Sequence, residues 1–121
     1  MLVTEENTDV AIAFDSVNLL RDPFSLTNTL NFSSDNRTRV MLFALNLDLL
    51  PGEDTTAVTA QAEDSLLNAY PLTVEFVGKV PGYDWLTEVV VKLPDNLPTG
   101  DALISITWHA RTSNKARLKI E

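Results

Sequence analysis

No cysteine occurs among the 121 residues. That excludes disulfides, thiolate catalysis and the common zinc frameworks. A chain of this length forms one domain and buries roughly two thirds of its unfolded surface, so it needs neither a disulfide nor a metal to stay folded. The absence of cysteine does not fix a compartment. No apolar run approaches the roughly 18 residues of a membrane span, and no membrane insertion is expected. Basic residues are few: 9 Lys and Arg stand against 17 Asp and Glu, for a net charge of −8. Phosphate backbones and anionic membranes would repel such a surface, and no nucleic acid is expected as a partner. The 4 glycines are scattered, each beside a turn, so no phosphate-cradling loop is present. The start, Met1-Leu2-Val3-Thr4-Glu5-Glu6, is acidic where a secretion signal would be basic. The chain therefore reads as either cytosolic or a mature or excised piece whose leader is gone.

What is abundant is short alternation. Pro71–Val77, Leu86–Leu93, Ala102–Trp108 and Lys115–Ile120 each alternate apolar and polar residues at period two. One set of side chains then faces a core and the other faces water. Turn formers separate the segments, as at Asp95-Asn96-Leu97-Pro98-Thr99-Gly100-Asp101. Arg111–Asn114 reads as the final hairpin turn. Thr55–Asp64 alternates with Val58, Ala60 and Ala62 inward, small residues that let another element pack close. Ala62–Tyr70 is the best helix candidate, but it is short and lacks a capping sequence. The spacing predicts an all-β fold of about seven or eight strands: an immunoglobulin-like β-sandwich of Greek-key type.

Residues 1–9 read as a polar N-terminal arm, and residues 10–121 as the sandwich domain. Residues 10–20 are expected to form the first strand, with Val10, Ile12 and Phe14 on one side and a bulge near Asp15-Ser16. Residues 22–36 suit a long loop, or a short edge strand anchored by Phe24, Leu26, Leu30 and Phe32. Arg39–Leu47 is apolar on both faces. That pattern implies a central strand whose second face is covered by the N-terminal arm, by the 22–36 loop, or by another copy of the protein.

The C-terminal third carries a resemblance. Leu86 to Leu93, Pro94, Asn96-Leu97-Pro98-Thr99-Gly100, Ile104-Ser105-Ile106-Thr107 and Ser113-Asn114-Lys115-Ala116 follow one another in order. This layout resembles the IPT/TIG-type immunoglobulin-like modules of bacterial secreted and cell-surface proteins. Such a resemblance implies an extracellular, non-enzymatic module used for spacing, adhesion or assembly. The chain departs from the pattern at Trp108-His109-Ala110-Arg111, where such modules carry a glycine-bearing hairpin.

No catalytic constellation emerges. His109 is the only histidine, and no nucleophile elbow accompanies it. Glu75 and Glu88 sit on strands and read as the wet face rather than as a glycosidase pair. Glu53-Asp54, Glu63-Asp64 and Asp84 would serve Ca²⁺ only if they converged, and solvated loop charge is the plainer reading. The sequons at Asn31 and Asn36 read as chance. No enzyme activity, cofactor or metal is expected. Two functional readings follow. In the first, the chain is an extracellular structural or filament subunit that pairs strands and packs between copies, with Val10, Ile12, Phe14, Val17 and Leu19 as the strand given to a neighbour. In the second, it is a carbohydrate- or ligand-binding module in which Tyr83 and Trp85 stack on a sugar ring, surface polysaccharide being the partner.

Overall fold

The computed structural model describes residues 1–27 and 36–121. Leu30, Phe32 and the sequon at Asn31 lie outside the described residues. The fold is all-β. Eight strands run in chain order: β1 (Ala13–Asp15), β2 (Arg39–Leu45), β3 (Val58–Glu63), β4 (Ala69–Val80), β5 (Tyr83–Lys92), β6 (Gly100–Trp108), β7 (Arg111–Thr112) and β8 (Ala116–Ile120). All pairings between strands are antiparallel, in the spatial order β1-β2-β5-β4-β3-β6-β7, with β8 on β6. The consecutive strands β3, β4 and β5 are neighbours, β2 returns beside β5, and β6 returns beside β3. These are two overlapping Greek keys. The neighbour relations β1-β2-β5-β4 and β3-β6-β8 match the strand order of an immunoglobulin-like arrangement.

The two groups of strands are joined on both sides, which makes the molecule nearly barrel-shaped. On one side β4 is shared. Its first residues pair with β3 and the rest with β5, around a bulge at Glu75. On the other side the N-terminal segment bridges the groups. Ala13 to Asp15 pair with β2, while the Ala11 N–H donates to Arg117 O (2.9 Å) and the Arg117 N–H donates to Asp9 O (2.6 Å) on β8. Phe24 extends this cover through parallel bonds to Lys119 and Glu121. The edge of β8 is thereby protected from pairing with another chain.

One core fills the interior. Val40 and Leu42 on β2 face Val91 and Val89 on β5 across the ladder, and all four are almost fully buried. Ile104 and Ile106 on β6 and Leu118 on β8 close it from the other group. Val58, Ala60 and Ala62 point inward as the alternation predicts. Ala62–Tyr70 forms no helix. It is the end of β3, a turn and the start of β4.

Three sequence expectations are corrected at the N-terminus. The first strand spans Ala13–Asp15 rather than residues 10–20. No bulge follows: Asp15 Oδ1 accepts from the Val17 and Asn18 N–H groups and starts a turn. Val17 and Leu19 lie in that turn, exposed at 44% and 61%. The alternation of residues 10–14 itself holds, with the large residues on the outer side. Ala11 and Ala13 are buried, whereas Val10, Ile12 and Phe14 are half-exposed. The small residues take the core side because the segment crosses closely between the two strand groups. Finally, residues 1–9 pack into the fold. Leu2 is buried at 2% exposure, and the Val3 N–H donates to Phe43 O. Residues 3–5 pair back onto residues 10–12.

The last hairpin differs as well. The turn is His109-Ala110, both with positive φ (51° and 61°), and Arg111-Thr112 is a strand. Two residues in this conformation make the tight turn that suits a two-residue hairpin without glycine. The His109 ring is held by stacking on Trp108 and by the Glu53 carboxylate at 2.8 Å.

The β3–β4 turn is built on Asp64. Its Oδ1 accepts from the Leu66 and Asn68 N–H groups, and its Oδ2 accepts from the Tyr70 hydroxyl (2.9 Å). Burial opposes the charge on this carboxyl. The bonds from Asn68, Tyr70 and Leu66 outweigh it and hold the pKa below its ordinary 3.8. A depressed folded pKa contributes stability that is present above the unfolded value and lost as pH falls through the folded one. Melting temperature should therefore fall with acid below pH 3.8, and Asp64→Asn should remove part of that slope. Parallel melting-versus-pH curves for the two proteins would contradict this.

Candidate functional site

The face of β2, β5 and β4 that points away from the core is apolar, and no other part of the described chain covers it. Parity sets its composition. On β2, Val40, Leu42 and Ala44 go inward, which leaves Arg39, Met41, Phe43 and Leu45 outward and half-buried. On β5, Val89 and Val91 go inward, which leaves Leu86, Glu88, Val90 and Lys92 outward. The Glu75 bulge on β4 turns Phe76 outward beside Val90. Gly78 then keeps the surface flat, because a Cβ there would sit 2.7 Å from the Phe76 ring.

The N-terminal segment adds Phe14, edge-on to Phe43 with centroids 6.0 Å apart, and Ile12. At the lower end of the face Val3, Ile12, Phe43, Leu45, Trp85 and Leu86 line a groove of about 290 Å³ with only apolar side chains. Gly82 (φ 85°) makes the β4–β5 turn that leads into it. Trp85 and Tyr83 stand at its rim, edge-to-face at 5.8 Å and exposed at 63% and 51%. Charge on this face is arranged along the strands. Arg39 holds Glu75 in a fork (Nε to Oε1 2.8 Å) at the end where Lys92 lies. Glu88 and Asp84 lie toward the other end. The Glu88 side chain has no hydrogen-bond or ion-pair partner among the described residues.

The sequence-predicted residues are thus brought together only in part. Ile12 and Trp85 line the groove, Tyr83 packs against Trp85, and Phe14 packs against Phe43. Val10 pairs beside Arg117 on β8, and Val17 and Leu19 lie away in their turn. Within the chain, residues 10–12 pair with residues 3–5 and with Arg117, and Ala13–Asp15 pair with β2 along one edge. The alternation of β2 already signalled the apolar outer face. Leu86 and Val90 were not singled out, because alternation within one strand does not say which residues of its outer face continue onto neighbouring strands.

The acidic clusters do not converge. Glu53 and Asp54 lie at the Trp108 end, where the Leu50 N–H and then His109 hold the Glu53 carboxyl below its ordinary range. Glu63 and Asp64 lie at the Leu103 end, with Glu63 paired to Lys115 at 2.5 Å. Among the described residues no cluster of three or more His, Cys, Asp or Glu could hold a metal ion, and no helix is long and apolar enough to cross a membrane. Comparison of the chain with protein-family models, curated proteins and solved structures finds no match, and so does not identify the module that its turns resemble.

Proposed function

We propose that this chain is a non-enzymatic structural module that assembles by packing against other copies of itself, in an extracellular or cell-surface setting such as a filament or surface protein. One observation carries the reading. The outer face of β2, β5 and β4 presents a contiguous apolar surface with an all-apolar groove, and such surfaces mark interaction sites on proteins otherwise covered by charge. Packing of faces replaces strand donation as the mode of assembly, because residues 10–15 are already paired within the chain, 10–12 with residues 3–5 and with Arg117, and Ala13–Asp15 with β2. The surroundings of His109 offer no nucleophile activation, since its Nε2 is held by Glu53.

A carbohydrate-binding reading rests on the exposed Tyr83–Trp85 pair. Sugar rings stack on aromatic faces, but they also need hydrogen-bonding groups around the ring. The groove supplies none, which favours a protein occupant. Sedimentation equilibrium of the intact chain decides between the readings. Assembly predicts a weight-average mass that climbs above 13.4 kDa with concentration. A mass fixed at 13.4 kDa, together with Trp85 fluorescence quenched by polysaccharide, would support the second reading instead.

A further inference from the structure

We infer that the cavity beside the β6–β7 hairpin is a binding site for a carboxylate group, with the Arg111 guanidinium as its charge partner and the Trp108 indole N–H as a second donor. The site goes beyond the assembly reading and does not depend on it. Arginine pairing singles the place out. The chain has five arginines among 17 acids. Four of them hold a carboxylate: Arg21 holds Glu5, Arg37 holds Asp95, Arg39 holds Glu75 and Arg117 holds Asp9. The Arg111 side chain has no hydrogen-bond or ion-pair partner among the described residues.

The hairpin puts a second donor beside it. Trp108 and Arg111 are direct partners across the tight His109-Ala110 turn, so their side chains leave the same face of the hairpin. Both line a cavity of about 260 Å³. The Trp108 Nε1–H is buried and has no acceptor among the described residues. Buried donors in folded proteins are almost always paired, and an exception asks for a reason. Stacking on His109, with ring centroids 4.1 Å apart, fixes the indole plane.

The lining selects the ligand. Among the described residues it contains no acid, and Arg111 is its one charged side chain. The remaining polar side chains are neutral amides and hydroxyls, and Leu47 and Ile106 supply apolar wall. A single cation with neutral donors matches a single negative charge. The planar guanidinium offers parallel N–H groups in the geometry of a carboxylate, whereas a dianionic phosphate would find only one cationic side chain. The volume lies just below the roughly 300 Å³ at which ligand pockets begin. The carboxylate therefore arrives on a short apolar tail, either as a small free acid or as an acidic side chain of another copy.

The test is a ¹H–¹⁵N NMR titration of the intact chain with butyrate at fixed protein concentration, read at the Trp108 indole N–H. Binding should move this resonance downfield to saturation while the Trp85 indole stays in place. Butyramide, which keeps the shape without the charge, should bind at least tenfold more weakly. Arg111→Gln should weaken butyrate at least tenfold and leave the melting temperature unchanged, because the side chain has no partner to lose. Trp108→Phe, followed at the Ala110 and Arg111 amides, should weaken butyrate by about tenfold through loss of one charge-assisted bond; Arg111→Gln carries the test if this change disturbs the fold. A shift that grows with protein concentration without butyrate, and that Arg111→Gln abolishes, assigns the carboxylate to another copy and supports the site. An indole resonance that neither butyrate nor protein concentration moves, or that moves equally in Arg111→Gln, would overturn the site and leave the assembly reading untouched.

Discussion

Val91→Asp should unfold the protein, whereas Glu88→Lys, three residues away on the same strand, should leave the melting temperature nearly unchanged. Val91 has no exposed surface and lies opposite Val40 in the centre of the core. Aspartate there places a carboxylate among Val89, Leu93 and Ile104 with no partner. Losing the valine burial costs about 1.5–3 kcal/mol, and the desolvated polar group adds to it. The sum, about 4 kcal/mol or more, is comparable to the whole stability of a domain this size. Glu88 points to the opposite side, so its reversal costs the monomer little. Equal thermal melts for the two variants would mean that the register of β5 is slipped by one residue.

Leu2→Ala should destabilise the protein by about 2–5 kcal/mol. The expectation of a polar arm over residues 1–9 would make this substitution silent, so the two views separate cleanly. Leu2 is 2% exposed, its N–H donates to Asn114 Oδ1 at 2.8 Å, and its neighbours Met1 and Val3 bond to β2. The residue plugs the end of the core between β2 and the approach to β8. Deleting residues 1–20 would remove this plug together with β1 and the cover over β8. Loss of self-association in such a deletion would then report unfolding rather than a missing contact. Chemical denaturation of Leu2→Ala checks the point, and a midpoint equal to that of the parent would restore the arm.

Much of the architecture was legible in the chain. β3, β5, β6 and β8 follow from period two and from Pro, Gly and Asx turns. The inward residues of β3 and β5 are the expected ones because each strand has one apolar face. The Glu75 bulge breaks the alternation of β4, and β7 falls in an expected turn. The N-terminal region was not legible. Val10-Ala11-Ile12-Ala13-Phe14 alternates large with small, which puts Val10, Ile12 and Phe14 on one side without saying which set meets the core. The structure puts the alanines there, since a segment that crosses between two strand groups has no room for more. The arm looked polar because one leucine, Leu2, does the packing among threonine and glutamates. The His109-Ala110 turn escaped notice because neither residue is a usual left-handed one.

The candidate site was half visible. The two-faced hydrophobicity of Arg39–Leu47 announced a covered second face. Only the pairing Met41↔Val90 and Val90↔Phe76 shows that this face extends over three strands. Registers across strands distant in sequence are set by tertiary packing, which local pattern does not encode.

The central claim is that the working part of this molecule is an apolar sheet face that goes dry against a second copy. The most direct measurement is collisional quenching of Trp85 fluorescence, with Trp108 replaced by Phe, as protein concentration rises. Trp85 starts at 63% exposed. The account predicts that its accessibility to quencher falls as copies associate. Unchanged accessibility while the sedimenting mass doubles would contradict it.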